Sequence, residues 1–209
     1  MDPEQPQQDN PFGMDDSCTN CSLCASRRTV VHGYGDTTAE FLFVLERPTP
    51  AADRNEGRLT GPDGDRLREI LEQLGFIGEG EENGAPVLEN AYLTHLTRCR
   101  NPDRGPRSEE IDACEPFLDA EIRMINPELI VPIGDRVLKA LATEYTTASP
   151  ESFDIDAVHA TTVRGRGFEL LPMRSIDRLS QAEMAAFVEH VAENVFGRDY
   201  RQTKGRQRR

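Results

Sequence analysis

The sequence predicts one α/β domain of three layers, in which helices cover both faces of a mostly parallel central sheet. Short, continuous apolar runs are typical of strands buried in a parallel sheet. Amphipathic segments that begin with helix-capping residues lie between these runs. The chain has 209 residues, which is enough for one sizeable domain. Because parallel strands need crossover connections, this alternation indicates an α/β architecture.

The first half of the chain supplies two strands and one helix. Residues 41–45 and 91–96 are apolar runs, so both are predicted to be buried strands. Between them, Asp63 is expected to cap a helix that ends before Gly75. The polar, glycine-containing residues 78–86 are expected to form a solvated loop.

The second half continues the alternation. Ser108 is expected to begin a helix that ends before Pro127, and another helix should follow Gly134. Ser180 and Glu183 have the spacing of a capping box, which predicts the start of the last helix. Three more strands are expected, near residues 129–133, 158–163 and 168–172.

The two ends of the chain differ in charge. Residues 1–17 are polar, acidic and proline-containing, so they are expected to be disordered. They also lack the apolar stretch of a secretory signal. Residues 198–209 carry six basic residues and one acidic residue. They are expected to be a disordered tail, which is either a solvated end or an arm that contacts phosphates. The folded domain is therefore expected to span residues 18–197.

The composition bears on the setting and on the partners. The formal net charge is −13, and only two of the 24 basic residues are lysines. This balance is typical of a halophilic protein from a salt-rich cytoplasm, with a generic acidic protein as the alternative. At molar salt the Debye length is about 3 Å, so an acidic surface does not exclude a nucleic-acid partner. No apolar stretch is long enough to span a membrane, and a cytoplasmic location is expected.

Four of the five cysteines occur as two pairs. Cys18 and Cys21 have a C-x-x-C spacing, and Cys114 lies on the inward stripe of the helix that follows Cys99. In a reducing compartment, clustered cysteines indicate metal ligands before disulfides. Four thiolates can hold a [4Fe–4S] cluster or one zinc ion. The alternative is that Cys99 and Cys114 are small buried hydrophobic residues.

The segments around these cysteines resemble the family 4 uracil-DNA glycosylases. That family carries C-x-x-C-x-L, then an arginine and V-V-x-G-x-G, and later C-R-P-P-x-N-R-x-P. Residues 18–23 read Cys-Thr-Asn-Cys-Ser-Leu, residues 30–35 read Val-Val-His-Gly-Tyr-Gly, and residues 99–106 read Cys-Arg-Asn-Pro-Asp-Arg-Gly-Pro. The resemblance extends from about residue 18 to residue 196. It implies the fold of that family and DNA as the partner. We expect a monomer.

The resemblance also implies a cofactor. In that family the four matching cysteines hold a [4Fe–4S] cluster, and Cys24 falls outside the four-ligand pattern. The implied ligands are Cys18, Cys21, Cys99 and Cys114.

The active-site motifs of the family are altered in this chain. Where the family has G-E-A-P-G, residues 45–49 read Leu-Glu-Arg-Pro-Thr. The family's G-R-P-F-V-G supplies an aromatic ring that stacks on uracil, whereas residues 57–61 read Gly-Arg-Leu-Thr-Gly. His95 replaces an asparagine that reads the base edge, and Arg174 follows Pro-Met where the family has H-P-S. These changes favour either a different base or the loss of glycosylase chemistry.

A polar site is nevertheless expected where the strands end, because open α/β sheets bind ligands at the carboxyl ends of their strands. Glu46 is expected to position the attacking water, and His95 is expected to contact the base or the leaving group. Five further residues are expected to bind the base or the DNA: Arg47, Thr60, Arg174, Ser175 and Asp177.

Three functions fit the sequence. The first is a DNA repair glycosylase that hydrolyses the N-glycosidic bond of a flipped uracil or another damaged base. The second is a non-catalytic iron–sulfur protein that binds DNA. The third is a zinc-stapled enzyme that acts on another nucleotide or small molecule.

Overall fold

A central six-stranded sheet organises the protein, whose computed structural model describes residues 8–196. The chain contains eight described strands: β1 (Tyr34–Gly35), β2 (Phe41–Leu45), β3 (Ile77–Glu82), β4 (Ala85–Leu88), β5 (Ala91–His95), β6 (Leu129–Pro132), β7 (Val163–Arg164) and β8 (Glu169–Leu170). The order in the large sheet is β1-β5-β2-β6-β8-β7, and β3 pairs with β4 alone. The four inner strands are parallel, and β1 and β7 are antiparallel edges.

Helices cover both faces of this sheet. The α-helices are α1 (Pro50–Asp53), α2 (Gly61–Gln73), α3 (Ser108–Ile125), α4 (Asp135–Tyr145), α5 (Ile155–Val158) and α6 (Gln181–His190), and a π-helical turn, Val191–Val195, follows α6. On one face, α2 and α6 bury apolar residues such as Leu71 and Phe187 against the sheet. On the other face, α3 and α4 bury residues such as Ile122 and Leu138. The predicted three-layer fold is therefore confirmed.

The register of the parallel strands sets where the site can form. Leu45, the last residue of β2, lies opposite His95, the last residue of β5. Val44 lies opposite Pro132, the last residue of β6. Because the three strands end at nearly the same level, the loops that follow them meet at one edge of the sheet.

Two local predictions in the first half were wrong. Residues 78–86 form most of the β3–β4 hairpin rather than a loop. Asn83 and Gly84 both have positive φ, as a tight hairpin turn between right-twisted strands requires. Because β3 is polar and exposed, it lacks the apolar pattern by which buried strands are predicted. The N-cap of α2 is Thr60, three residues before Asp63, which the sequence predicts as the cap.

The remaining predicted elements differ mainly in length. The helix from Ser108 and the capping box of Ser180 with Glu183 are confirmed. A strand was expected over residues 158–163. Residues 155–158 form the short helix α5 instead, and the strand that follows, β7, has only two residues, Val163 and Arg164. β8 also has two residues, within the predicted 168–172.

Residues 8–17, which the sequence predicts to be disordered, are anchored to the domain. The main-chain N–H of Asn10 donates to the Gly33 carbonyl at 3.2 Å, and the N–H of Gly35 donates to the Gln8 carbonyl at 3.0 Å. The Gln8 side chain pairs with the main chain of Leu88 in both directions. Residues 1–7 and the basic tail, 198–209, lie outside the described residues. Within the described part of the chain, no helix is long and apolar enough to cross a membrane.

Candidate functional site

Four cysteine side chains line one small cavity beside β5 and α3. They are Cys18, Cys21, Cys99 and Cys114. Cys21 precedes a 3-10 turn, Ser22–Ala25, and Cys99 lies four residues beyond the end of β5. All five cysteine thiols are free, and Cys24 does not line the cavity. The tertiary structure thus brings together the four cysteines that the sequence analysis selected.

The electrostatics of this cavity suit a group that compensates negative charge. Burial raises the pKa of the Cys99 thiol to about 12, against the opposing effect of Arg27. Burial likewise raises the pKa of Cys114. Arg27 Nη1 lies 3.6 Å from Cys99 Sγ as a donor. Thiolates are therefore costly here on their own, and a bound metal centre would stabilise them.

Two kinds of metal centre are held by four cysteine thiolates. Among residues 8–196, no three Cys, His, Asp or Glu side chains are arranged to hold one metal ion. A tetrahedral zinc ion with Zn–S bonds of about 2.3 Å needs its sulfurs roughly 3.8 Å apart. A four-iron cluster spaces its thiolates more widely, because each binds a different iron atom. Either centre uses four thiolates as its donor set, and the four cysteines of the cavity could supply them.

A network around Glu110 ties the cysteine segments together. Its carboxylate accepts hydrogen bonds from Ser22 Oγ at 2.5 Å, from Arg104 at 2.7 and 2.8 Å and from the Arg107 main chain at 2.8 Å. The bonds from Arg104 lower the pKa of Glu110 to about 2, although burial opposes them. This ionised carboxylate joins the first cysteine segment, the loop after Cys99 and the start of α3.

A larger cleft, of about 500 Å³, lies at the carboxyl ends of the strands. It is lined by the loops that follow β2, β5, β6 and β8. Its charged lining residues are the cations Arg47, Arg100, Arg136 and Arg178 and the carboxylates Glu46, Asp63, Asp135 and Asp177. The predicted polar site at the strand ends is therefore present as a cavity with both signs of charge.

Glu46 lines this cleft directly after β2. Within the described residues, its carboxylate has no hydrogen-bond donor or ion-pair partner. A Cβ atom added at Gly105 would lie 3.0 Å from Glu46 Oε1, so the glycine makes room for the carboxylate. The main-chain carbonyl of Glu46 accepts a hydrogen bond from the Thr97 N–H at 3.2 Å, which fixes the backbone of the turn after β2. Glu46 is thus held in the cleft with an uncommitted carboxylate.

Arg47 also lines the cleft, but its Nη1 atom has structural partners. Nη1 donates to the carbonyls of Asn101, at 3.0 Å, and Arg104. In the opposite direction, Arg100 Nη1 donates to the Pro48 carbonyl at 2.8 Å. The two arginines therefore connect the loop after β2 to the loop after Cys99. The replacement of a small family residue by Arg47 has a physical role as a tie between cleft and cysteine cavity.

His95 lies at the strand end but does not line the cleft. It is 8% exposed, and its Nδ1 atom is buried without a hydrogen-bond partner among residues 8–196. Burial, followed by the charges of Arg98 and Arg58, holds its pKa well below the usual value. The imidazole is therefore neutral at physiological pH, with one donor and one acceptor nitrogen.

The other predicted site residues divide into two groups. Ser175 and Asp177 line the cleft. Arg174 does not, because its guanidinium pairs with Glu183 at 2.5 Å and with Asp156 at 2.6 Å. Thr60 is the N-cap residue of α2, and its hydroxyl faces the carbonyls of residues 56 and 57 at 3.3 Å.

Sequence reasoning missed three cations of the cleft, Arg100, Arg136 and Arg178. Arg136 and Arg178 line it, and no hydrogen bond or ion pair engages either guanidinium within the described chain. Arg136 lies in the first turn of α4, which begins after Gly134 at φ 96°. Free main-chain N–H groups and a positive dipole end there favour an anion. The signal was available, since Arg136 follows a buried strand by only a few residues.

Comparisons with known proteins agree with this geometry. Residues 32–194 match the family model described as "Uracil DNA glycosylase superfamily". A type-4 uracil-DNA glycosylase from Thermotoga maritima is 32% identical over 74% of this chain and 70% of the relative. One from Sulfurisphaera tokodaii is 30% identical over 73% of this chain and 62% of the relative. A type-5 uracil-DNA glycosylase from Thermus thermophilus is 30% identical over 55% of each chain.

Proposed function

Because the chain belongs to the uracil-DNA glycosylase superfamily, we propose that it is a DNA N-glycosylase. It would hydrolyse the N-glycosidic bond of a flipped uracil or another damaged base. The observation that carries this proposal is the cleft at the strand ends. It holds the Glu46 carboxylate and the Arg136 and Arg178 guanidiniums, none of which has a hydrogen-bond or ion-pair partner among residues 8–196. A base that leaves its stack needs such a concave site, with charges placed for both the sugar and the phosphates.

Glu46 is the proposed catalytic carboxylate. Cleavage of an N-glycosidic bond leaves positive charge on the sugar, which a carboxylate stabilises electrostatically. The same group can accept a proton from the attacking water. Arg47 is nearby, but the hydrogen bonds of its Nη1 to main-chain carbonyls anchor it in the adjacent loop.

DNA binding is assigned to the cationic residues of the cleft. Arg136, Arg178 and the amino end of α4 would contact phosphates, because all three present unsatisfied positive charge or N–H groups. Ser175 and Asp177 belong to the same loop as Arg178 and would contact the strand beside them. Arg174 and Thr60 would support these loops, since their polar atoms already have partners.

His95 would contact the base or the leaving group, as the sequence suggests. Its unpartnered Nδ1 and its neutral state suit a hydrogen bond to a base edge. Since its ring is buried, that contact requires the β2 and β5 loops to separate when DNA binds. The replacement of an amide by an imidazole changes the donor–acceptor pattern, which favours a base other than uracil or a relaxed choice of base.

Cys18, Cys21, Cys99 and Cys114 are the proposed ligands of a [4Fe–4S] cluster. When bound, the cluster supplies four metal–thiolate bonds that cross-link the first cysteine segment, the loop after β5 and helix α3. Arg47 and Arg100 extend that cross-link to the loop that carries Glu46. The proposed role of this centre is structural support of the cleft.

A non-catalytic DNA-binding protein is the second candidate. The burial of His95 and the altered strand-end motifs favour it over an efficient glycosylase. In that case the cationic side of the cleft, and the basic residues of 198–209, would bind DNA without cleavage. We retain the boundaries 18–197 for the domain and a monomer in both candidates.

The deciding experiment is a base-release screen on the cluster-loaded full chain. Duplexes that contain uracil, hypoxanthine or xanthine would be incubated in molar KCl, which suits the acidic composition. We expect release of one free base, and a loss of about 10²- to 10⁴-fold in Glu46→Gln, because a catalytic carboxylate is removed. Glu69→Gln, on the exposed side of α2, is the matched control.

Each outcome of that screen decides between the candidates. Release from none of the duplexes, by a protein whose iron content is complete, would contradict the glycosylase proposal. If the same protein still retards these duplexes in a mobility-shift assay, the DNA-binding alternative stands.

A further inference from the structure

A fully buried arginine, Arg98, lies between the four-cysteine cavity and the end of β5. Its exposure is 1%, and it lines the cavity together with the four cysteines. A guanidinium stays charged and carries five N–H donors. Its burial is tolerable only if acceptors or negative charge surround it on several sides.

Two of the three guanidinium nitrogens of Arg98 have protein acceptors. Nη1 donates to the main-chain carbonyl of His95. Nη2 donates to Glu121 Oε2 at 2.5 Å. The third nitrogen, Nε, is buried and has no acceptor among residues 8–196. A buried N–H without an acceptor is rare and costly, so this Nε–H is available to a partner other than residues 8–196, such as a group held in the cavity that Arg98 lines.

The carboxylate of Glu121 fixes the direction of this side chain. Oε1 accepts from the Gly33 N–H and from the Tyr92 hydroxyl, both at 3.2 Å. Oε2 also accepts from Thr94 Oγ1 at 2.5 Å. Glu121 is 1% exposed and accepts from Gly33 and from two residues of β5, so Arg98 cannot turn away from it without breaking the ion pair.

The main chain of Arg98 reaches the cavity as well. It forms a hydrogen bond to Cys114. Its carbonyl accepts from the Val31 N–H at 2.8 Å, in the segment after the first cysteine pair. One residue thus contacts a proposed ligand through its backbone and the carbonyl of His95 through its side chain.

We propose that Arg98 is a positioning residue, which donates its Nε–H to the group held by the four cysteines and thereby connects that group to the position of His95. This inference rests on the proposed iron–sulfur cluster. A cluster with four thiolates is anionic, and hydrogen bonds to its sulfur atoms stabilise the more negative, reduced state. With the cavity filled, all three nitrogens of Arg98 have acceptors. The carbonyl of His95 is then held at the strand end, opposite Leu45.

The test compares cluster-loaded Arg98→Lys with wild type. Lysine keeps the charge but lacks the Nε–H and the planar fork. Arg123→Lys, on the exposed side of α3, is the matched control. Two properties are measured: the reduction potential of the cluster by voltammetry, and hydrogen exchange of the Leu96 and Thr97 amides. These amides donate to the carbonyls of Leu45 and Glu46, so they report the end of β5.

We expect Arg98→Lys to shift the reduction potential to a more negative value and to speed exchange of both amides. Arg123→Lys should match wild type in both. A potential equal to wild type, at equal iron content, would overturn the inference and leave the cluster in place. If purified wild-type protein binds no iron, both the cofactor proposal and this inference are overturned. Iron analysis distinguishes that result from an unchanged reduction potential, which overturns this inference alone.

A second measurement keeps the proposal testable if Arg98→Lys does not fold. Protein labelled with [15N]arginine is reduced, and electron spin-echo spectroscopy detects arginine nitrogens near the paramagnetic cluster. The Arg27→Lys background is used, because Arg27 Nη1 lies 3.6 Å from Cys99 Sγ. A surviving arginine coupling supports the proposal, and its absence contradicts it.

Discussion

The cysteine cavity and the cleft share one loop, residues 99–106, but they differ in how many of their charged side chains have protein partners. Around the cavity, Glu110 and Glu121 accept hydrogen bonds from several donors each, and these bonds join separate segments of the chain. In the cleft, Glu46, Arg136 and Arg178 have no partner among the described residues. A region whose groups are satisfied internally holds its shape, whereas uncommitted charges are available to a ligand.

The difference parallels an expectation from the sequence. There the segments that carry the four cysteines resemble the family 4 motifs, and the strand-end motifs are expected to be altered. Arg47 shows how the two regions remain connected, because a residue in an altered motif now holds the loop that follows Cys99. Support of the cleft and chemistry in the cleft are thus separable properties of this fold.

Removal of a cysteine ligand should have the largest effect. We expect Cys99→Ser to abolish the brown colour of the proposed cluster and its broad absorbance at about 400 nm, because a hydroxyl does not replace the thiolate ligand. The free energy of unfolding should fall strongly, since metal binding couples to folding. Iron analysis and thermal unfolding measure both. Cys24→Ser is the control, and a loss of iron in that variant would show that the ligand set is different.

Two glycine substitutions should have intermediate effects and should distinguish the surroundings of the cysteine cavity from the cleft. At Gly33 a Cβ atom would lie 2.5 Å from Glu121 Oε1 and 2.5 Å from Tyr92 Cε1, inside the buried network. We expect Gly33→Ala to lower the free energy of unfolding by about 1–3 kcal/mol, as overpacking of an interior does. Chemical denaturation measures this. At Gly105 the added atom meets only the end of the Glu46 side chain and, at 3.8 Å, Arg136 Nη1.

Gly105→Ala should therefore reduce base release more than it reduces stability. The comparison would break if Gly105→Ala destabilised the protein as much as Gly33→Ala. It would also break if Gly33→Ala folded with wild-type stability.

The smallest expected effect concerns phosphate contacts. Arg136→Gln should weaken DNA binding by a similar factor for every sequence, because phosphates carry no base information. The slope of log affinity against log salt should fall by about 1. Fluorescence anisotropy across a salt series measures both. Arg123→Gln, far along α3 from the cleft, should leave the slope unchanged, and an unchanged slope in Arg136→Gln would remove this residue from the interface.

The sequence by itself determined the architecture and the set of four cysteines. Apolar runs such as residues 41–45 identify buried strands, and the cysteine-flanking motifs identify the family, because both are local patterns in the chain. It missed the β3–β4 hairpin, whose polar strand carries no apolar signal, and it gave no sign that Arg174 pairs with Asp156 and Glu183. Those outcomes depend on neighbours that are distant in sequence.

Only the tertiary structure decided which polar groups are committed and which are free. The sequence places Arg98 beside a cysteine, but the fold buries it between Glu121, the carbonyl of His95 and the cavity. The sequence also places Arg136 at the start of a helix, and the fold leaves it facing the cleft without a partner. The physical reason is that hydrogen-bond satisfaction and burial depend on three-dimensional neighbours, whereas periodicity and motif spacing are properties of the chain alone.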